Sequence, residues 1–232
     1  MKEERKTPKC IGIIMDGNRR WAKELELDST AGHTAGYEKL KEVLAWAKDS
    51  NIKYVIAYAF STENWKRDPR EVKFLMDLFR KALDQSVEDF KDKNVRLKIM
   101  GNKEKLPKDL QKKIIKAEEE TKNGELCLVL AISYGGRAEI LSAIKELIET
   151  KTKKEILKLT EEKFSNFLWT KDIPDPDLII RTSGELRTSN FLPWQSAYSE
   201  WFFLPMYWPA ITREDFDKVI DDFGNRKRRL GK

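Results

Sequence analysis

The chain has 232 residues, of which 40% are hydrophobic and 36% are charged, and its net charge is +6. This composition excludes a membrane-spanning protein and a disordered chain, and the length allows one large domain with a sizeable core. Five bases and no acid lie in residues 225–232. A nucleic-acid binder normally spreads its excess charge over a face. We therefore interpret residues 1–232 as a single domain that carries a basic, anion-binding tail at 225–232.

Six short apolar runs alternate with helical patterns along the chain. This alternation predicts an α/β single domain with a central, mainly parallel six-stranded sheet flanked by helices. Apolar stripes predict amphipathic helices over residues 35–49 and 70–91, and the polar residues 150–158 predict a surface loop. The predicted strands are residues 10–15, 54–60, 95–100, 126–132, 178–180 and 201–204.

The two cysteines, Cys10 and Cys127, lie within the first and fourth apolar runs. A free thiol in such a run behaves as a small buried hydrophobe, so the pattern indicates neither a disulfide nor a zinc site. Residues 10–15 are too few for a signal peptide or a membrane span. We expect a cytoplasmic protein.

Polar residues directly follow four of the predicted strands, at 16–21, 61–67, 133–137 and 181–185. Ligands of an open parallel sheet bind outside the carboxyl ends of its strands. Arginines, hydroxyl groups and glycine turns all bind phosphate oxygens, so these loops predict a polyanion site. Asp16 would suit a magnesium ion at that phosphate, because Mg²⁺ takes only one or two protein carboxylates. The alternative is that these loops are merely polar surface.

Two further patterns narrow the chemistry. Gly12 and Gly17 have the spacing of a P-loop, but Asn18 replaces its lysine, so an ATPase is not indicated. His33 is the only histidine and lies at the predicted start of the helix over 35–49. A single histidine excludes HExxH zinc chemistry, and His33 is either structural or a group that binds an anion or relays a proton.

Five ordered motifs resemble the cis-prenyltransferases, and the likeness runs from Ile11 to about Pro209. The resemblance implies condensation of isopentenyl diphosphate onto an allylic diphosphate such as farnesyl diphosphate, with each new double bond cis. It implies a long-chain product such as undecaprenyl diphosphate, Mg²⁺ as cofactor and a homodimer. The motifs are IMDGNRRWA at 14–22, GHTAG at 32–36, YAFSTENWKR at 58–67, YGGR at 134–137 and DLIIRTSGE at 177–185.

The resemblance also implies roles for individual residues. Asp16 and Glu200 would contact magnesium, and Arg229 and Gly231 of the terminal RxG motif would complete the site of a neighbouring subunit. Arg181, Arg187 and Ser189 would hold isopentenyl diphosphate. The catalytic group would be Asp16, His33, Ser61, Asn64 and Trp65. Further substrate contacts would come from Gly17, Asn18, Arg19, Arg20, Trp21, Phe60, Ser61, Thr62, Glu63 and Arg67.

The long product implies an apolar tunnel between the sheet and the helices over 35–49 and 70–91. The lining candidates are Leu44, Trp46, Leu75, Phe79 and Leu83. For each of them, ordinary core packing is the alternative, because every packed amphipathic helix shows such a stripe.

Two positions depart from the family pattern. Many bacterial members have glycine at the position of Arg19, and much of the family has a phosphate-binding arginine at the position of Ser29. Either the affinity for the allylic diphosphate is reduced, or Arg19 replaces the missing charge.

Other functions fit the sequence less well. A non-catalytic partner subunit would lose the Asp16 loop, which is intact here, and an RNA-binding tail would need aromatic residues for base stacking, which the tail lacks. We therefore expect no nucleic-acid partner.

Transient contact with a membrane surface would serve product release. The acceptor of the proton lost from the isopentenyl unit is left open among the diphosphate, Asp16 and Asn64 acting through water.

Overall fold

The computed structural model describes residues 7–226, apart from the side chain of Ser86. They form a single α/β domain around one six-stranded sheet with the strand order β3-β4-β2-β1-β5-β6, in which every neighbouring pair is parallel. The predicted fold class is confirmed. The strands are β1 (Cys10–Ile14), β2 (Tyr54–Ser61), β3 (Val95–Met100), β4 (Leu126–Tyr134), β5 (Leu178–Arg181) and β6 (Glu200–Phe203).

Helices cover both faces of this sheet, as expected for parallel strands that are buried on both sides. They are α1 (Asn18–Glu24), α2 (Ser29–Asp49), α3 (Pro69–Asp92), α4 (Lys108–Glu120), α5 (Gly136–Thr150), α6 (Lys153–Ile156), α7 (Glu161–Ser165) and α8 (Arg213–Asn225). A 3₁₀ turn (Thr62–Lys66) follows β2 directly. No helix in residues 7–226 is long and apolar enough to cross a membrane.

The prediction of a plain loop at 150–158 was wrong, because α6 forms within it. The hydroxyl of Thr152 accepts a hydrogen bond from the N–H of Glu155, and the Glu155 carboxylate accepts one from Thr152 in return. This capping box stabilises a single helical turn in a polar sequence without any apolar stripe.

Helix α2 begins at Ser29, six residues before the predicted start, so His33 lies inside the helix. Asp28 caps its first turn by accepting a hydrogen bond of 2.8 Å from the N–H of Thr30. Gly32 is untypical of a helix interior, so the sequence pattern did not indicate a helix here. It is needed for a close contact with α1, because an added Cβ would come within 2.1 Å of the carbonyl oxygen of Asn18.

The core lies on both faces of the sheet. One large cluster joins the sheet to α2, α3, α4 and α8, and a second lies on the opposite face, around Phe191 and Leu192. Cys10 and Cys127 are buried free thiols, as expected, and burial raises the pKa of Cys10 well above its usual value.

The register of the strands brings the polar loops to one edge. Ile14 of β1 pairs with Arg181 of β5 on one side and with Tyr58 of β2 on the other. Since all three strands run in the same direction, the segments after Ile14, Ser61 and Arg181 leave the sheet side by side.

Candidate active site

An open cleft lies at the carboxyl edge of the sheet. Its walls come from the loops after β1, β2 and β5 and from α1 and α2. The structure also places Lys23, Ser29 and Asn190 in the wall, which sequence reasoning did not assign to substrate binding. The predicted residues that line the cleft are Asp16, Gly17, Asn18, Arg19, Arg20, His33, Ser61, Glu63, Asn64, Arg67, Arg181, Arg187 and Ser189.

The carboxylate of Asp16 is the centre of one group of contacts. Its Oδ1 accepts a hydrogen bond of 3.0 Å from Nη2 of Arg20, and its Oδ2 accepts one of 2.8 Å from Nη2 of Arg181. Thr182 fixes the backbone of Asp16 from both sides, accepting from its N–H and donating to its carbonyl. Asp16 is therefore held at the strand end with its charge balanced by two arginines.

Gly17 makes the turn that follows possible. Its φ of 100° is in the left-handed region, and an added Cβ would come within 2.6 Å of the ring of Tyr207. Glycine therefore lets the chain pass from Asp16 into α1 at this close contact.

Arg181 is the centre of a second group of contacts, on the wall of the cleft formed by β5 and the loop that follows it. Its side chain is only 3% exposed, and its Nη1 donates to the hydroxyl of Ser189 at 2.7 Å and to the carbonyl of Arg187. Arg187 itself is exposed and pairs with Glu185, which also accepts a hydrogen bond of 3.0 Å from Arg20. Glu185 thus links the cations of the two walls, and sequence reasoning did not single it out.

Glu71 is the centre of a third group of contacts, and sequence reasoning missed it as well. Its carboxylate lies within hydrogen-bond distance of His33 and Arg67 and is 3.5 Å from Arg19. Burial lowers the pKa of His33, although the contact with Glu71 acts in the opposite direction. The available signal was the four-residue spacing between Arg67, just before α3, and Glu71 in its first turn, which is equally typical of an ordinary ion pair at a helix start.

Ser61 and Asn64 hold each other in place at the end of β2. The hydroxyl of Ser61 accepts from the N–H of Asn64 at 3.2 Å, and Oδ1 of Asn64 accepts from the N–H of Ser61 at 3.0 Å. This reciprocal cap fixes the 3₁₀ turn at the edge of the cleft. Glu63 in the same turn accepts a hydrogen bond of 3.2 Å from Asn190 and so joins the turn to the loop after β5.

Four of the predicted contact residues do not line the cleft. Phe60 is 1% exposed and packs its ring against Trp65 with 4.9 Å between centroids. The indole N–H of Trp65 donates to the hydroxyl of Ser133 at 3.0 Å. These aromatic residues lie beneath the turn and support it, and Thr62 and Trp21 are also absent from the cleft wall.

Glu200 lies far from Asp16 within one chain. It begins β6 opposite Leu178, at the amino edge of the sheet, whereas Asp16 follows β1 at the carboxyl edge. Glu200 pairs there with Arg226 at 2.8 Å. Because β6 runs parallel to β5, its first residue does not reach the carboxyl edge, so Glu200 and Asp16 do not lie together within one chain. The magnesium contact expected of Glu200 stays a prediction. Arg229 and Gly231 lie outside the described residues.

An apolar cavity opens from the floor of the cleft. It lies between the sheet, α2 and α3, and Met15, Asn18, His33, Ala59 and Leu75 line both spaces. Of the predicted lining residues, Leu44, Leu75, Phe79 and Leu83 are in its wall.

Trp46 does not line this cavity. Its ring faces Phe216 of α8 with 5.9 Å between centroids, so it belongs to the contact between α2 and α8. The expectation of a lining role for Trp46 is therefore wrong.

The donor set of the cleft fits a magnesium ion that is held mainly by a substrate. No cluster of three or more His, Cys, Asp or Glu side chains occurs in residues 7–226 that could enclose a metal. Mg²⁺ commonly keeps several waters and binds through one or two carboxylates together with substrate phosphates. Asp16 offers one such carboxylate beside the arginines of the cleft, so Asp16 would hold the ion.

Comparisons with known proteins agree on one family. A family model described as putative undecaprenyl diphosphate synthase matches residues 14–231. The isoprenyl transferase of Thermotoga maritima is 47% identical over 225 residues, which are 97% of both chains. The isoprenyl transferase of Fusobacterium nucleatum is 45% identical over 98% of this chain and 97% of its own.

Two solved structures resemble this chain over almost its whole length. Lavandulyl diphosphate synthase from Lavandula x intermedia, in complex with dimethylallyl diphosphate, has a TM-score of 0.90 at 30% identity and covers 97% of this chain and 99% of its own. A probable undecaprenyl diphosphate synthase from Campylobacter jejuni has a TM-score of 0.82 at 36% identity and covers 98% of this chain and 100% of its own. The cleft and the apolar cavity lie within the matched region.

Proposed function

The chain belongs to the undecaprenyl diphosphate synthase family of isoprenyl transferases, and on that premise we propose that it elongates an allylic diphosphate with isopentenyl diphosphate. Farnesyl diphosphate is the proposed primer. Each new double bond is cis, and the product is a long-chain polyprenyl diphosphate of the undecaprenyl type.

One observation carries this proposal: a cleft rich in arginines opens directly into an apolar cavity. A prenyl diphosphate has a polyanionic head and an apolar tail, so it needs both environments next to each other. His33 and Asn18 line both spaces and mark the junction between head and tail. The dimethylallyl diphosphate bound to the lavender enzyme is such a ligand, and this supports an allylic diphosphate as substrate.

The allylic diphosphate binds on the side of α1 and α2. When its C–O bond breaks, negative charge grows on the departing diphosphate, and Arg19, Arg67 and the backbone N–H groups at the start of α1 stabilise it. Magnesium, when held by Asp16, supplies further charge neutralisation at this diphosphate. Because these groups are already in place, little reorganisation accompanies the ionisation.

Isopentenyl diphosphate binds on the opposite wall, where Arg181, Arg187 and Ser189 hold its diphosphate. Its terminal carbon forms the new bond to the allylic C1, and a proton then leaves the condensed unit. The candidate acceptors of this proton are the departing diphosphate, Asp16 and Asn64 acting through water. The reciprocal cap of Ser61 and Asn64 keeps the turn after β2 at the place where the two substrates meet.

The cavity between α2 and α3 takes the growing chain. Leu75 stands at its mouth, and Phe79, Leu83 and Phe90 follow along α3. From Leu75 to Phe90 the helix rises roughly 22 Å, at 1.5 Å per residue. A cavity lined by this stretch of α3 suits the apolar tail of a prenyl chain that moves inward with each condensation.

We propose a homodimer as the working unit, in which Arg229 and Gly231 reach the site of the neighbouring subunit. Leu141, Ile144 and Ile148 form an exposed apolar stripe along one face of α5, which supports a contact with another chain. Transient contact with a membrane surface during product release is a further proposal.

The decisive experiment incubates the protein with farnesyl diphosphate, isopentenyl diphosphate and Mg²⁺ and identifies the products by mass spectrometry. We expect a ladder of prenyl diphosphates ending in a long-chain species, with cis double bonds by NMR and no product in excess EDTA. A single condensation product, or no product, would contradict the proposed elongation.

A further inference from the structure

Glu71 brings together three groups from three separate parts of the chain. Its Oε1 lies 2.8 Å from Nη1 of Arg67 and 3.1 Å from Nε2 of His33, and its Oε2 lies 3.5 Å from Nη1 of Arg19. These partners come from the segment before α3, from α2 and from α1. All three line the cleft, whereas Glu71 itself lies behind them with 9% of its side chain exposed.

The negative charge of this carboxylate is unfavourable for a site that binds an anion. A negative charge behind the cleft repels a diphosphate, so its presence needs a compensating function. Arg19 is 58% exposed and Arg67 is 31% exposed, so both could otherwise sample many rotamers in water. An ion pair with a buried carboxylate restricts those rotamers before the ligand arrives.

The contact with Glu71 also determines the state of His33. A carboxylate can only accept hydrogen bonds, so Nε2 of His33 must carry the hydrogen in its contact with Glu71. In the neutral imidazole, Nδ1 is then an acceptor, like the oxygens of a phosphate. His33 can therefore donate from Nδ1 to a diphosphate only after it gains a second proton.

The charged groups around His33 act in opposite directions on that proton. Burial lowers the pKa of His33, and the positive charges of Arg67 and Arg19 lower it further. Glu71 raises it, both through its hydrogen bond and through its charge. Without Glu71, the imidazolium would form only at lower pH.

We propose that Glu71 is a positioning residue that aims Arg19 and Arg67 at the primer diphosphate and fixes His33 so that primer binding takes up a proton at Nδ1. The proposal rests on the proposed function, because it assigns this wall to the allylic diphosphate. The proton comes from solvent and stays on His33 while the diphosphate is bound. No covalent bond changes.

The kinetic test compares Glu71→Gln with Glu71→Asp in steady-state assays that vary each substrate separately. In Glu71→Gln we expect the KM for the primer to rise about tenfold at pH 7.5, as for loss of a charge-assisted contact, and the KM for isopentenyl diphosphate to stay within about twofold. kcat/KM for the primer should fall as the pH rises and His33 loses its proton, and in Glu71→Gln this alkaline fall should begin at lower pH than in the wild type. Glu71→Asp keeps the charge and should restore the position of that fall.

Two controls accompany these variants. Glu88→Gln removes an exposed carboxylate from the same helix and should change neither KM nor the pH profile. His33→Asn removes the titrating group, so the alkaline fall should disappear. Circular dichroism and thermal unfolding check the fold of each variant, and if Glu71→Gln does not fold, Glu71→Asp and the calorimetric test below decide the question.

A binding test separates this inference from the proposed function. Isothermal titration of farnesyl diphosphate with Mg²⁺, without isopentenyl diphosphate, in two buffers of different ionisation enthalpy measures the protons taken up. We expect net uptake near pH 7.5 by the wild type and none by His33→Asn. The inference is wrong if the wild type binds the primer and takes up no more protons than His33→Asn does. It is also wrong if Glu71→Gln keeps the wild-type KM for the primer and the wild-type pH profile. If the wild type neither binds the primer nor forms product, the proposed function itself fails.

Discussion

Arg181 donates a hydrogen bond of 2.8 Å to the carboxylate of Asp16, although 165 residues separate them in the sequence. Asp16 lies just after β1 and Arg181 ends the neighbouring parallel strand β5. Each has a proposed role toward a different substrate. Because of this contact, a change in charge at Asp16, on the allylic side, alters the interactions of Arg181 on the isopentenyl side. Binding of a metal ion by Asp16 would therefore release part of Arg181 for a diphosphate.

Asp16→Ala should abolish nearly all turnover while the fold is retained. It removes the carboxylate of the cleft that would hold magnesium, but Arg181 keeps its contacts with Ser189 and the carbonyl of Arg187. The measurement is kcat with saturating substrates, alongside circular dichroism. Retention of more than about a tenth of the wild-type rate, a barrier change under ~1.4 kcal/mol, would contradict the magnesium role.

Arg187→Ala should raise the KM for isopentenyl diphosphate more than the KM for the primer. Arg187 is exposed and contacts Glu185, so its removal leaves the carboxylate of Asp16 undisturbed. Arg181→Ala should show the same preference with an additional loss of kcat, because Arg181 also contacts Asp16. Steady-state assays with each substrate varied in turn test this, and equal effects on both substrates would mean that the two walls are wrongly assigned.

Ser29→Arg should lower the KM for the primer. Ser29 and Arg19 line the same cleft. A new charge-assisted contact is worth roughly 1.5–3 kcal/mol when it is well formed. Arg19 already occupies part of this wall, so we expect the low end of that range in the wild type and a larger effect in an Arg19→Gly background. If the KM falls in neither background, Arg19 does not compensate for Ser29.

Phe90→Leu should shift the products toward longer chains. Phe90, Leu44 and Lys41 form the wall between the apolar cavity and a second cavity at the far ends of α2 and α3. A smaller side chain joins the two spaces, and leucine keeps more of the packing than alanine, which would cost about 3–5 kcal/mol. Mass spectrometry of the products gives the distribution.

Two tryptophan substitutions on α2 provide the matched comparison for the second cavity. Ala45→Trp would fill it and should prevent the lengthening in a Phe90→Leu background. Glu42→Trp places the same side chain on an exposed position of α2 outside both cavities and should leave the distribution unchanged. Products of wild-type length from Phe90→Leu would show that Phe90 does not limit the chain.

Deletion of residues 227–232 should abolish activity and leave the dimer intact. This boundary keeps Arg226, whose guanidinium pairs with Glu200 and lies 4.0 Å from the ring centroid of Phe202. A heterodimer of the deleted chain with an Asp16→Ala chain combines one intact loop with one intact tail. It should recover up to about half of the wild-type activity.

The composition of the mixed dimers is checked by size-exclusion chromatography and native mass spectrometry. If heterodimers form without recovered activity, the tail acts within its own subunit. Normal activity of the deleted chain alone would return the basic segment to a solubility or nucleic-acid role.

Much of the site could be predicted from the sequence because local patterns carry the necessary information. Apolar runs marked the six strands, and in parallel strands the residues after each run share one edge. Asp16 and Arg181 were therefore assigned to one cleft without any knowledge of the strand order. The motif resemblance then added the chemistry of the two diphosphates.

Tertiary structure decided which partner each side chain meets. The helical pattern gave Trp46 an apolar face, but only the packing shows that α8 covers it. Glu71 resembled an ordinary first-turn acid until α1 and α2 brought Arg19 and His33 to it. Glu200 was separated from Asp16 by the direction of β6. The physical reason is that hydrophobic periodicity records which face of an element is buried, whereas the neighbour that buries it depends on how distant elements pack.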